Sequence, residues 1–379
     1  MRGVCTMSWT ARQLNPLPDT RTMSCSNNSK IIFVTGGTGF IGFQILVQLL
    51  DSGYSVRASA RGKKVDLLRN ALSKYKNIEV VCIPDIFGDD LSNVLTGVYG
   101  IIHVAAPLPG AESERTIRDA TEGSLHILNA AVQAGVSRIV ATSSAATFPV
   151  GGPYGPDNWF PVTCEDAKHT NNGLTYLLAK KLTDQVFIKF SESHPELNIS
   201  ILGPGLTFGP FAPGFEQLLP EPNYKSFSSN AYLYALLRPD NVHFPVHVQN
   251  GAIDVRDAAR AHLLALESLP TLRKRFAIVS PHQSSYKTAL EIIAQERRAL
   301  KYRLADPAKA PVWPSYTLNV DRVKIEKAIG LKTDSYIPWA QTVVDTVDSL
   351  LAIENHWRAK GFHVEVPSTS PFPFTVSKL

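Results

Sequence analysis

A glycine-rich turn between two apolar runs constrains the fold of this chain more than any other feature. The first run, 31–34, predicts a buried parallel strand, and the second, 43–50, predicts a helix. The turn between them holds three spaced glycines: Gly36, Gly39 and Gly42. In that order they permit a tight turn, let backbone N–H groups approach an anion, and let the helix pack close to the strand. Strand, turn and helix together predict a pyrophosphate cradle at a helix N-terminus.

Strands and helices alternate after residue 30, which predicts an α/β fold. We expect a Rossmann doubly wound parallel sheet with a smaller C-terminal substrate-binding lobe. Strands are predicted at 31–35, 55–60, 78–83, 100–105, 138–142 and 198–202. Further helices are predicted at 116–134, 175–193, 256–268, 286–300, 320–329 and 338–360. The predicted domains are a disordered extension (1–29), the Rossmann domain (30–203, with 240–268 contributing), the lobe (204–365) and a flexible tail (366–379).

Composition argues against several classes of protein. The net charge of +5 is spread along the 379 residues without a basic block, which argues against nucleic acid as a partner. The four cysteines form no CxxC pair, which indicates a reducing compartment. No apolar run is long enough to span a membrane, and the N-terminus lacks a signal-peptide core. Translation can begin at Met1 or at Met23.

The end of the second strand indicates which dinucleotide is bound. An acidic residue at this place accepts hydrogen bonds from the ribose 2′-OH of NAD, whereas a basic residue accommodates the 2′-phosphate of NADP. No acid stands here; Arg61 does, followed by Lys63 and Lys64. We therefore expect NADP(H), with a solvated basic loop as the alternative.

Tyr176 and Lys180 lie four residues apart on a predicted helix, so both project from one face. A nearby ammonium group is expected to lower the tyrosine pKa, so that Tyr176 can protonate a carbonyl oxygen. Ser144 follows the fifth strand and is placed to hold that oxygen by a hydrogen bond. The alternatives are a surface pair and a strand-end cap.

These motifs resemble those of the extended short-chain dehydrogenase/reductases, and most of all the dihydroflavonol reductase and cinnamoyl-CoA reductase-like group, which includes fungal aldehyde and ketone reductases. The resemblance covers roughly residues 30 to 270. It is carried by 35–42, Arg61, 85–86, 103–107, 142–144, 176–180, 205–210 and 254–257.

The resemblance implies a catalytic serine at Ser144, a tyrosine at Tyr176 and a lysine at Lys180. It also implies contacts with adenine, with the cofactor ribose and phosphates, and with the carboxamide. The expected cofactor-binding residues are Gly36, Thr38, Gly39, Phe40, Ile41, Gly42, Arg61, Lys64, Asp85, Ile86, Ala105, Ala106, Tyr176, Lys180, Pro204, Gly205 and Leu206. No metal site is expected; His243 and His247 share a helical spacing, but Pro245 between them breaks a helix.

One residue departs from the family pattern. Many relatives carry Asn where His126 stands, and that Asn shapes a water site of a proton relay. Histidine exchanges protons near neutral pH, so His126 either takes over this role or fills the helix interface. His262, Asp257 and Arg256 are expected to tie the lobes together, and Asp254 is expected to be structural.

Aromatic residues in 208–234 are expected to form one wall of a substrate pocket, with Phe148, Pro149 and Val150 opposite. Such a lining favours a bulky apolar or aromatic carbonyl compound, in a reductase of secondary metabolism. The alternative is that several of these rings are ordinary core. Alternative functions are a hydroxysteroid dehydrogenase-like or sugar-nucleotide epimerase-like enzyme using NAD, and a non-catalytic NADP-sensing protein.

The last three residues are Ser377, Lys378 and Leu379, which match a peroxisomal address. We therefore expect a peroxisomal protein, with a cytoplasmic one as the alternative, and an import receptor as a partner. A monomer or a homodimer is expected.

Overall fold

The computed structural model describes residues 27–106, 113–168, 172–240, 251–271, 273–310 and 318–368. The predictions made for residues 1–26, for His243 and His247, and for the C-terminal tripeptide lie outside these ranges.

Strands of the described residues form two parallel sheets. They are β1 (Ile31–Thr35), β2 (Ser55–Ala60), β3 (Ile78–Cys82), β4 (Val98–His103), β5 (Arg138–Thr142), β6 (Asn198–Pro204), β7 (Leu206–Phe208), β8 (Ala252–Asp254) and β9 (Lys274–Ile278). The main sheet has the order β3-β2-β1-β4-β5-β6-β9, and β7 pairs with β8 in a second sheet. The strand order reverses between β1 and β4, where doubly wound folds bind their ligands. The predicted Rossmann sheet is confirmed.

Helices cover both faces of the main sheet. They are α1 (Phe40–Asp51), α2 (Lys64–Ala71), α3 (Ser92–Leu95), α4 (Ser113–Gln133), α5 (Cys164–Lys168), α6 (Asn172–Ser193), α7 (Asn230–Ala235), α8 (Val255–Glu267), α9 (Tyr286–Glu296), α10 (Arg322–Ile329) and α11 (Trp339–Ala359). On one face α1 packs against α8, and on the other α4 packs against α6. The division into domains stays a prediction.

β1 explains why the central strands have continuous apolar sequences. Ile32 and Val34 belong to the core on one face of the sheet, and Phe33 belongs to the core on the other. All three are fully buried. A strand covered on both faces has no side from which polar residues reach water, so its sequence does not alternate.

Several boundaries differ from the prediction. α1 begins at Phe40, three residues before the predicted start, because the glycine turn is shorter than expected. β4 begins at Val98, and α9 ends at Glu296, where a 3-10 helix takes over at Arg298–Arg303. β9 was not predicted at all, because two charged residues, Lys274 and Arg275, lie within it.

Candidate active site

The glycine turn brings three backbone segments closer than side chains would allow. Gly36 has a φ of +73°, and a Cβ there would lie 2.6 Å from the backbone nitrogen of Ala105. A Cβ on Gly42 would lie 2.1 Å from the carbonyl oxygen of Gly36. That oxygen accepts a hydrogen bond from the N–H of Gly39 at 3.0 Å. The turn is therefore held against both β4 and the start of α1.

The first turn of α1 presents backbone donors to the space above the sheet. Gly39 is the N-cap residue, and it supplies no side-chain cap. The N–H groups of Phe40, Ile41 and Gly42 precede the first intrahelical hydrogen bond, which Phe43 donates to the Gly39 carbonyl at 2.8 Å. Gly39 is exposed and Thr38 is half-buried beside it. An anion seated here meets these donors and the positive end of the helix dipole.

The carboxyl end of β4 lies next to this turn. The hydroxyl of Thr35 accepts a hydrogen bond from the N–H of Ala105 at 3.2 Å, and it lies 2.8 Å from Nδ1 of His103. Burial lowers the pKa of His103 to about 3, so the ring is neutral. Ala105 and Ala106 are half-buried and follow the strand. The structure thus places Ala105 beside the glycine turn, with Ala106 next along the chain. Their contact with the cofactor stays a prediction.

Basic residues at the end of β2 differ in what they contact. Arg57 donates to the carboxylate of Glu79 at 2.6 Å and to the carbonyl of Val94 at 2.7 Å, so its guanidinium supports the sheet edge. Arg61 and Lys64 are exposed. Loss of hydration and the charge of Arg61 both lower the pKa of Lys64. These two cations therefore lie close together just beyond the strand.

The remaining predicted cofactor residues lie on the loop after β3 and where β6 ends and β7 begins. Asp85 is exposed, Ile86 is half-buried, and a carboxylate oxygen of Asp85 accepts the N–H of Phe87 at 3.0 Å. Pro204 ends β6, and the N–H of Gly205 donates to the carbonyl of Ile278 at 3.0 Å.

β6 also approaches the serine turn at the end of β5. A Cβ on Gly203 would lie 2.8 Å from the carbonyl carbon of Ser144. The segment formed by Pro204, Gly205 and Leu206 thus begins one residue beyond this close approach.

Ser144, Tyr176 and Lys180 meet at the carboxyl end of β5. Oγ of Ser144 accepts the N–H of Ala146 at 3.2 Å, and its side chain is hydrogen-bonded to that of Tyr176. Nζ of Lys180 donates to the carbonyl of Thr142 at 2.7 Å. The structure therefore brings these three predicted side chains together. Lys180 is only 8% exposed, so it does not form a surface pair with Tyr176. The bond from Ala146 makes Ser144 a cap as well, as the alternative had it.

Burial decides the protonation of this group. It raises the pKa of Tyr176, and Asp184 raises it further, while the hydrogen bond with Ser144 opposes both. Burial lowers the pKa of Lys180 to about 8, against the opposing charge of Asp184. The direction is thus opposite to the expected lowering of the tyrosine pKa, because loss of hydration is the largest influence on it.

A cavity extends from Tyr176 and Lys180 towards α4. Its walls include His103, Ala106, Ser124 and Asp184. Asp184 was not singled out in the sequence, although it lies eight residues after Tyr176 and hence on the same face of α6. That spacing was the available signal.

His126 lies outside this cavity. Its Nε2 lies 2.8 Å from the carbonyl oxygen of Asp89, so the ring joins α4 to the loop after β3. This contact favours a packing role over the relay.

Most of the aromatic rings between residues 208 and 234 belong to the core. Phe208, Phe215, Phe227, Tyr232 and Tyr234 are at most 2% exposed. The alternative of ordinary core is therefore right for these rings. Phe211 and Tyr224 are half-buried. Phe148 is fully buried, whereas Pro149 and Val150 after it are half-buried.

The expected ties between α8 and the C-terminal part of the chain are present. Arg256 donates to Asp345 on α11 at 2.7 Å, and Asp254 accepts from Thr342 at 2.8 Å. A carboxylate oxygen of Asp257 accepts the N–H of Ile337 at 2.8 Å. These residues connect elements of the fold, as predicted.

His262 connects α8 to β5, two elements of the predicted Rossmann domain, so the expectation that it ties the lobes together is wrong. Its Nδ1 lies 2.7 Å from the carbonyl of Ala258, which only accepts, so Nδ1 carries the proton. Burial lowers the pKa of His262 to about 4, and Nε2 of the neutral ring accepts from the Thr142 hydroxyl at 2.8 Å.

Two features of the described ranges bear on metal ions and on membranes. No group of three or more His, Cys, Asp or Glu side chains is arranged to hold a metal ion there. None of the helices there has the length and apolar character that crossing a membrane requires.

The sheet order, the glycine turn and the Ser144, Tyr176 and Lys180 group define a Rossmann-fold protein with a short-chain dehydrogenase/reductase type of site. Comparison of the sequence with protein-family models identifies the family. The chain belongs to the NAD dependent epimerase/dehydratase family, the extended short-chain dehydrogenase/reductases, whose model matches residues 32–278.

Known relatives cover much of the chain. Cinnamoyl-CoA reductase 1 of Oryza sativa is 30% identical over 263 residues, which are 67% of this chain and 72% of the relative. An NADPH-dependent methylglyoxal reductase of Saccharomyces cerevisiae is 25% identical over 348 residues, 85% of this chain and 98% of the relative. The structure of yeast methylglyoxal/isovaleraldehyde reductase complexed with NADPH has a TM-score of 0.72 and 24% identity, and covers 86% of this chain and 99% of its own. That likeness supports the fold.

Proposed function

We propose that this chain is an NADP(H)-dependent oxidoreductase that reduces an aldehyde or ketone on a bulky apolar or aromatic small molecule, or oxidises the corresponding alcohol. Secondary metabolism is the proposed setting. The observation that carries the proposal is the meeting of Ser144, Tyr176 and Lys180 beside the glycine turn. Similarity to a cinnamoyl-CoA reductase and to an NADPH-dependent methylglyoxal reductase supports the same class of reaction.

The residues around the glycine turn fit NADP(H). Backbone donors at the start of α1 suit the pyrophosphate, because Gly39 has no Cβ that would stand between them and the phosphates. The neighbouring cations Arg61 and Lys64 suit the 2′-phosphate. Asp85 and Ile86 are proposed to contact adenine, and Pro204, Gly205 and Leu206 the carboxamide. When bound, the cofactor supplies the hydride.

The side chains of the proposed site handle the substrate oxygen and its proton. Tyr176 keeps its phenolic proton at neutral pH, since burial raises its pKa, and is therefore set up to donate it to a carbonyl oxygen. Ser144 donates a hydrogen bond to the same oxygen as negative charge develops there. Lys180 holds a positive charge beside the pair, and it loses its proton as the pH rises through about 8. Reduction is therefore expected to weaken above that pH.

Replacement of Tyr176 by Phe tests the role of the phenol. NADPH oxidation is followed across a panel of aromatic and aliphatic carbonyl compounds, and NADPH binding is followed by its fluorescence. We expect turnover to fall by about a hundredfold or more while binding persists. Turnover near that of the wild type would contradict the assignment. Loss of NADPH binding alone would show that Tyr176 serves the cofactor instead.

The same assays separate the alternative functions. An epimerase-like enzyme would require NAD and convert sugar nucleotides without net oxidation. An NADP sensor would bind NADPH, but no carbonyl compound of the panel would cause it to oxidise the NADPH. The paired cations Arg61 and Lys64 favour the reductase over an NAD enzyme.

A peroxisomal location with import-receptor binding, and a monomeric or homodimeric state, remain part of the proposal. Imaging of a protein tagged at its N-terminus, with and without Leu379, tests the location. A diffuse signal in both would refute import.

A further inference from the structure

A fully buried ion pair lies behind the proposed catalytic group. Nε of Arg275 on β9 donates to Oδ2 of Asp184 on α6 at 2.9 Å, and the side chains are 0% and 2% exposed. Burying two charges is unfavourable unless they are paired and further hydrogen-bonded. An ion pair at this depth therefore calls for an explanation beyond stability.

Asp184 joins α6 to the turn that carries Ser144. Asp184 lies on the same face of α6 as Tyr176 and Lys180, two turns beyond Tyr176 and one turn beyond Lys180. Its Oδ2 also accepts from the Ser143 hydroxyl at 2.6 Å and lies 3.3 Å from the Thr147 hydroxyl. One carboxylate oxygen thus connects the helix to both sides of the serine turn.

Arg275 fixes the segment that follows this turn. Its guanidinium lies 3.7 Å from the ring centroid of Phe148 and 3.7 Å from that of Trp159. It donates to the hydroxyl of Thr147 at 2.7 Å and to the carbonyl of Asn158 at 3.0 Å. The ion pair therefore holds both ends of the segment between the serine and α5.

We propose that Asp184 is a positioning residue of the reaction, which fixes the Ser144 turn against the helix that carries Tyr176 and Lys180 and places a carboxylate one helical turn beyond Lys180. Arg275 holds the carboxylate in place. This inference rests on the proposed reductase function.

The charges that face Lys180 come from several elements. Asp184 and Tyr176 lie on α6, and the neutral His103 lies on β4. Arg275 on β9 faces Asp184, and the neutral His262 on α8 reaches the site through Thr142. Among the described residues of α4, only the uncharged Ala120 and Ser124 line the cavity.

Removal of the Asp184 charge is expected to change the pKa of Lys180 and that of Tyr176 in the same direction. Asp184 raises the pKa of Lys180 and that of Tyr176. In an Asp184→Asn variant both values fall, so protonated lysine and phenol are lost at lower pH. The alkaline limb of the reduction rate therefore moves to lower pH, whichever group controls it.

Asp184→Asn is the first test, with Glu267→Gln as the matched control. Glu267 accepts hydrogen bonds from Lys30, Tyr54 and Tyr99 at the amino ends of the strands, far from the serine turn. We expect kcat of Asp184→Asn to fall by about tenfold to a hundredfold, as for a small misplacement of reacting groups, with KM for NADPH nearly unchanged. We also expect the alkaline limb to move down by about half a pH unit or more. The control should change neither. A limb at the wild-type pH would overturn the proposal, even if kcat falls.

Ser143→Ala provides a second test that leaves the ion pair intact, in case Asp184→Asn does not fold. Its control is Ser191→Ala. This substitution also removes a buried hydroxyl, which lies on α6 and donates to the carbonyl of Ile188. We expect Ser143→Ala to lower kcat by about fivefold or more and the control by less than about twofold. Equal rates in the two variants would overturn the positioning role.

A readout without substrate separates this inference from the proposed function. The ¹³Cε resonance of Lys180, assigned with Lys180→Arg, is titrated in the wild type and in Asp184→Asn. If no carbonyl compound of the panel supports NADPH oxidation by the wild type, the proposed function fails, and this titration still decides the inference. A titration midpoint lower in the variant supports it, and an equal midpoint overturns it.

Discussion

Two glycines of the α1 turn should respond to the same substitution in opposite ways. At Gly39 the backbone has φ −93° and ψ 169°, which alanine adopts freely, and the nearest atom to a new Cβ is the Gly36 carbonyl oxygen at 3.4 Å. Gly39→Ala should therefore cost less than about 1 kcal/mol of folding stability, the difference between these residues at an N-cap. At Gly42 the new Cβ would lie 2.1 Å from that oxygen. Because a backbone atom must move, Gly42→Ala should cost about 3 kcal/mol or more.

For the affinity for NADPH we expect the reverse, with the larger effect from Gly39→Ala. A methyl group on Gly39 would hold the phosphates away from the N–H groups of the turn. Loss of one hydrogen bond to a charged group is worth about 1.5–3 kcal/mol, which raises Kd by about tenfold to a hundredfold. Urea unfolding followed by circular dichroism measures stability, and NADPH fluorescence measures Kd. Gly39→Ala with wild-type affinity would refute the proposed phosphate cradle. Gly42→Ala with wild-type stability would refute the close approach of α1 to the turn.

Three further substitutions test other parts of the structure. Arg61→Asp should lower the ratio of NADPH to NADH turnover by about tenfold or more, and an unchanged ratio would remove Arg61 from the 2′-phosphate site. His126→Ala should leave the pH–rate profile unchanged, because the ring bonds a loop carbonyl; a shifted limb in that profile would favour the relay. Arg275→Met leaves the buried Asp184 carboxylate without its ion-pair partner and should lower the free energy of unfolding by about 3–5 kcal/mol. In the same urea experiment, Arg297→Met breaks a pair that is one-third exposed or more and should cost less than about 1 kcal/mol; equal losses would contradict the argument from burial.

Local patterns predicted the parts of the fold whose physics is local. β1, β2 and β5 begin and end at the predicted residues. The glycine turn and the spacing of Tyr176 and Lys180 are also local, and the structure shows the turn before α1 and both side chains on α6.

Features that depend on distant partners were not predictable in this way. Lys274 and Arg275 make β9 look like a solvated segment, yet both are at most 2% exposed. The amide oxygen of Asn198 accepts a hydrogen bond from Lys274, and the Asp184 carboxylate forms an ion pair with Arg275. Likewise, an aromatic ring has the same sequence signature in a pocket wall and in a core. The rings after Phe208 became core because Trp357 of α11 packs among them, against Tyr224 and Phe227.

The ion pair on β9 also sets an order of events during synthesis of the protein. Asp184 and Arg275 are 91 residues apart, so α6 and the serine turn leave the ribosome long before their arginine does. Until β9 pairs with β6, the Asp184 carboxylate has no guanidinium, and the segment 147–159 lacks the side chain that holds it. Nascent chains that end before β9 should therefore contain every proposed catalytic residue and still be inactive. Contacts of such long separation form late in folding, because the intervening loop must close first. Pairing of β9 with β6 is therefore expected to complete the assembly of the site.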